Sequence, residues 1–157
     1  MTTDPSYPKR ALMITRMIFL AQFAGSLFFM IIVYYLGANR FFFRADMSET
    51  FLLPAIFLTF TAIPAGYIIS RRKMAAIRQE DRIDRKYPVF QSALIIRLAA
   101  CDGIALFSAV CLLITGNLVY LIFFILALTV MLTNYPTPDR IGKELNLTQS
   151  EIEQFYQ

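Results

Sequence analysis

Four long apolar runs, separated by polar or charged segments, set the plan of this chain. The first covers residues 11–36, and residues 17–36 carry no charge at all. The others cover residues 51–70, 92–115 and 118–135. About 20 apolar residues, rising about 1.5 Å each as a helix, cross a hydrocarbon layer of about 30 Å. The pattern predicts an all-α fold: a four-helix transmembrane bundle made of two hairpins, forming one domain over residues 1–157.

Local signals refine the elements. Pro54 suits a first helical turn. Pro64 falls inside the second run, removes a backbone donor and crowds the Phe60 carbonyl, so a kink is expected there. Thr59 and Thr61 are candidates to satisfy the freed backbone. Residues 37–50 read as a loop whose Phe41, Phe42 and Phe43, between Arg40 and Arg44, lie in the membrane interface. Asp46, Ser48 and Glu49 are candidate caps for the next helix. The second helix is expected to run on past the membrane, with Met74 and Ile77 on an apolar side. Tyr87-Pro88 punctuates the chain before the third run. Thr115-Gly116-Asn117 is a tight uncharged turn, and Pro136 and Pro138 close the fourth run. The tail, residues 137–157, predicts a short helix over 139–145, and then a Thr148-x-x-Glu151 capping box opens a last helix to Phe155.

One polar residue interrupts the apolar pattern of the third run. Asp102 follows Arg97 and lies among residues 98–114, which are otherwise uncharged. A carboxylate there costs about 2.5–3.5 kcal/mol on insertion scales unless it is paired, hydrogen-bonded or protonated. Ala99, Ala105 and Ala109 lie at i−3, i+3 and i+7, a small-residue face that lets another helix approach. Asp102 is therefore expected in a helix–helix seam. Arg97 is a poor partner, since five residues turn a helix about 500° and leave the two side chains about 140° apart. It is expected to snorkel to the surface. On the first run, Ala21 and Gly25 form a small-xxx-small packing pair beside Gln22 and Ser26. Gln22 lies six residues after Arg16, much as Asp102 lies five after Arg97. An intramembrane polar cluster of Asp102, Gln22, Arg97 and Arg16 is expected, with Gln22 touching Asp102.

Composition agrees with a membrane class. The 157 residues are 57% hydrophobic and 17% charged, where a soluble domain has nearer a quarter charged. The net charge of +4 does not point to nucleic acid, because the basic residues flank the apolar runs. Residues 71–86 hold seven Lys and Arg, residues 37–50 hold two, and the Gly116 turn holds none. By the positive-inside rule both termini and the basic loop are cytoplasmic, in a multi-pass protein of the cytoplasmic (inner) membrane. Cys101 and Cys111 lie about 15 Å apart along one helix, too far to bridge. There is no histidine, and no catalytic constellation, metal-ligand spacing or cofactor motif stands out.

Runs one and three each pair an arginine with an apolar span and a Gly/Asn end, a weak internal repeat. The segment from Arg97 through Asp102 to Phe107, with Thr115-Gly116-Asn117 and the closing residues 136–148, resembles a group of small uncharacterised four-span bacterial membrane proteins. That resemblance implies fold and not activity. A doubled hairpin with one carboxylate also resembles the rotor-ring proteolipids of rotary ATPases. Those carry the acid on the second helix of a hairpin and are rich in glycine; here Asp102 is on the first and the chain has six glycines. Asp102-Gly103 echoes part of the acid cluster of membrane phospholipid-synthesising transferases, whose other aspartates are missing from this segment. The expected function is that of a non-enzymatic accessory or assembly subunit, or a homo-oligomeric membrane component. Its partners would be the bilayer and another membrane protein or further copies. The alternative is a proton- or ion-coupled conductor using Asp102.

Overall fold

The computed structural model describes residues 7–37, 40–44, 49–75, 77, 83–153 and 155. Among them the chain is helical: α1 (Tyr7–Gly37), α2 (Leu52–Ala75), α3 (Ile83–Thr115), α4 (Val119–Thr133), α5 (Pro138–Leu145) and α6 (Gln149–Glu153). No strand occurs among these residues, only an isolated bridge between Phe42 and Asn117. Helices α1, α2 and α3 are long and apolar enough to cross a membrane, and α4 with α5, bent by 78°, makes up to a fourth crossing. Phe28, Tyr35, Phe57, Phe60 and Ile122 stand exposed around them. So much outward apolar surface suits lipid better than water, as in a chain whose three to four apolar helices cross a membrane.

Helix α3 is the hub. It packs on α1, α2 and α4, and 44% of its apolar window is buried, against 17% for α1 and 22% for α2. On α1 the buried residues Leu12, Thr15, Phe19, Ser26 and Val33 recur at steps of three, four and seven. That is the seam of helices crossing at a shallow angle. Gly66 of α2 sits where an added Cβ would come within 2.9 Å of the Ala100 Cβ, so the α2–α3 crossing depends on its lack of a side chain.

Two expectations change here. The first hairpin is not closed, because α1 and α2 pack chiefly on α3 and not on each other; the two-hairpin repeat therefore does not describe the packing. Helix α3 also starts at Ile83, and so includes Pro88. Ile83, Tyr87 and Phe90 are buried with Leu12, Ile141 and Phe155, and this burial outweighs the break a proline favours.

Other signals land close to where the pattern put them. Helix α2 runs past Ser70 to Ala75, with Met74 and Ile77 against the apolar core. It continues through Pro64, while the Thr59 and Thr61 hydroxyls donate to carbonyls of their own preceding turns, Ala55 and Phe57, and not to Phe60. Asp46 and Ser48 lie outside the described residues, as does the Glu151 side chain. Thr137 caps α5, accepting from the Arg140 N–H at 3.3 Å, and Asn146 ends it in a left-handed conformation (φ 50°).

At the α3–α4 turn, fully buried Asn117 binds the loop: its amide nitrogen donates to the Arg44 carbonyl at 2.7 Å and to Glu49 Oε1 at 3.1 Å. Gly116 has φ +72°, and a Cβ there would meet the Arg40 carbonyl oxygen at 2.6 Å.

Candidate functional site

The expected polar cluster divides into two centres and an outlier. The first centre joins α1 to α3: the Ser26 hydroxyl donates to Asp102 Oδ1. Ser26 is buried and Asp102 half-buried. Ser26 Oγ also lies 3.1 Å from the Gln22 carbonyl. Gln22 is half-buried, and its Oε1 has no hydrogen-bond partner among the described residues. Ser26, not Gln22, meets the acid because the register differs from the one suggested by aligning Arg16 with Arg97. Thr15 Oγ1 bonds the Tyr87 hydroxyl at 2.9 Å and Ser26 faces Asp102, at sequence separations of 72 and 76. Arg16 and Arg97 are 81 residues apart, so α1 is displaced along α3 toward its own N-terminal end by about 1.4 to 2.5 turns.

The small residues around this centre point two ways. Ala105 and Ala109 are fully buried, whereas Ala99 is exposed. Positions i−3 and i+3 lie about 60° to opposite sides of Asp102, so one seam does not take both. Ala21 and Gly25 also face outward, and a Cβ at Gly25 or Gly103 would meet nothing within 4 Å. The Ala21–Gly25 pair is therefore not a packing face within this chain.

The second centre is built around Arg97, and it corrects the snorkelling expectation. Arg97 is 6% exposed. Its Nε donates to Ser70 of α2, its Nη1 donates to Glu144 Oε1 at 2.9 Å, and its guanidinium lies 5.3 Å from the centre of the Tyr67 ring. Glu144 comes from α5, the helix that turns back under the bundle. Arg140, one turn earlier, donates to the same Oε1 at 3.0 Å, to Asn134 Oδ1 at 2.9 Å and to the Thr133 carbonyl. Asn134 in turn donates to the Tyr67 hydroxyl at 2.8 Å. Burial alone raises the Glu144 pKa, but hydrogen bonds and charge from Arg97 and Arg140 outweigh it and hold the carboxyl below its ordinary value. Beside this network opens a pocket of about 370 Å3, lined by Tyr67, Arg71, Met74, Arg97, Arg140 and Glu144.

Arg16 belongs to neither centre. Its Nε donates to the Pro136 carbonyl at 3.3 Å and its guanidinium lies 5.8 Å from the Tyr135 ring centre. Sequence reasoning missed Ser70, Asn134, Arg140 and Glu144. The available signal was α5 itself, whose buried Pro138, Ile141, Gly142 and Leu145 recur at helical spacing. That pattern marks a docked helix and not a free tail.

No protein-family model, curated protein or solved structure matches this chain.

Proposed function

We propose that this chain is a non-enzymatic, four-span component of the inner membrane that works by associating with another transmembrane helix, in a homo-oligomer or a partner complex. The supporting observation is the outward placement of Ala21, Gly25, Ala99 and Gly103 on α1 and α3, with open space at both glycines. Small residues on a lipid-facing surface offer close backbone approach to a neighbouring helix, and such approach drives helix association in membranes. In this reading α4, about 22 Å long, is the fourth span, and α5 lies across its inner end. The count of seven basic residues in 71–86, against two in 37–50, supports the reading that both termini are cytoplasmic.

The test is purification in mild detergent with the mass measured by light scattering. The expected result is a complex larger than the monomer, dissociated by Gly25→Leu or Gly103→Leu while helical content is unchanged. A monomer without companions, or a complex indifferent to both substitutions, overturns the proposal. A reporter fused after Gln157 checks orientation and should be active only as a cytoplasmic fusion.

The second reading, a proton- or ion-coupled conductor, rests on the half-buried carboxyl of Asp102 and its bond to Ser26. Arg16 and Arg97 bond elsewhere. Flux into reconstituted vesicles that disappears with Asp102→Asn would favour this reading over the first.

A further inference from the structure

From the Arg97 pocket we infer that this chain binds a phosphate-bearing anion at the basic end of its bundle, between α2, α3 and α5. The argument begins with unequal charge. Among the described residues, three guanidiniums, from Arg71, Arg97 and Arg140, line the pocket beside one carboxylate, Glu144. The Glu144 oxygen that faces them is shared by Arg97 at 2.9 Å and Arg140 at 3.0 Å. Among these described groups two positive charges are left over, and one of them belongs to a network around a nearly buried arginine. Excess charge held out of water is costly unless a counter-charge joins it.

The donors also fit. Arg140 is committed through all three of its nitrogens, to Glu144, Thr133 and Asn134. Among the described residues Arg97 uses Nε and Nη1, which leaves Nη2 for a ligand. Arg71 stands exposed at the end of α2 and makes no ion pair among the described residues. A guanidinium presents paired N–H donors that match two oxygens of a phosphate. The volume, about 370 Å3, admits a phosphate with a small substituent. The wall also carries Met74 and the Tyr67 ring, surfaces suited to the carbon portion of such a group. Because α2 and α3 are membrane helices, the phosphate could come from a lipid headgroup or from a free anion. Basic pockets between membrane helices recognise headgroups by this chemistry.

The experiment uses the full chain in neutral maltoside micelles. Short-chain phosphatidylglycerol and inorganic phosphate are titrated separately, with diacylglycerol of the same chain length as the uncharged control. Binding is read directly by equilibrium dialysis of radiolabelled compound. Saturable binding of either phosphate compound, weakened at least fivefold by Arg71→Gln and absent for diacylglycerol, is the expected result. Saturation by the lipid alone assigns a headgroup, and saturation by both assigns a free phosphate group. Arg71→Gln lies at the exposed mouth and keeps the Arg97–Glu144 pair, so it separates lost binding from lost folding. Absence of saturation by either phosphate compound, equal binding of diacylglycerol, or binding unaffected by Arg71→Gln overturns the inference.

Discussion

Ser26 meets the Asp102 carboxyl with a single hydroxyl, and the neighbouring Gln22 oxygen is left over. Hydrogen bonds between membrane helices are each worth about 0.6 kcal/mol, up to about 1.7, because the separated helices also find partners. A double-mutant cycle of Ser26→Ala with Asp102→Asn, measured by denaturation in mixed micelles, should give a coupling of about 1 kcal/mol. The same cycle with Gln22→Ala should be additive. At Gly116 the constraint is steric. An alanine there would hold φ +72° and push its Cβ onto the Arg40 carbonyl. Gly116→Ala should destabilise the fold by about 1–3 kcal/mol in the same assay, whereas an alanine at Gly25, with open space around it, should be neutral within about 0.5 kcal/mol.

At the level of elements, α5 is the segment whose docking depends on charge. Glu144 titrates below its ordinary value of 4.5, so the undocked state binds more protons in the interval between the two values. Its contribution is complete above the ordinary value and is lost as pH falls through the lowered one. Amide protection factors in α5, corrected for the intrinsic exchange rate at each pH, should therefore fall on acidification from pH 6 to pH 3 more than those in α3. Glu144→Gln should remove that extra pH dependence. The apolar spans were legible because their lengths match a bilayer and their ends carry charge or Gly/Pro signals. The docking of α5 was not, since it needs a partner 47 residues away, Arg97, that sequence spacing does not reveal. The same holds for the register of α1 on α3. Thr15, Phe19 and Tyr87 set it through packing, and the spacing of Arg16 from Arg97 departs from it by about 1.4 to 2.5 turns.

The whole molecule is a sheath of exposed apolar side chains around a central helix. Cys101 and Cys111 lie on that helix, 1% and 2% exposed. Both should resist a membrane-permeant maleimide in native membranes and react fully once dodecyl sulfate unfolds the bundle. Labelling of either in the native state, read by mass, would show that α3 is not the shielded centre. Detection of a central helix from sequence fails for a physical reason: α1, α2 and α3 have similar hydropathy, between 1.9 and 2.1, while their burial differs more than twofold. Lipid and protein interior ask for the same kind of side chain.

The bond between Arg97 and Glu144 also has a temporal side. Ribosomes deliver the guanidinium 47 residues before the carboxylate that neutralises it. Until the last segment emerges, the third helix enters the bilayer with an unmatched cation, and the chain is finished from its far end. A product ending at Tyr135 should accordingly decay faster than the full chain in pulse–chase, and co-expression of residues 136–157 as a separate peptide should slow that decay.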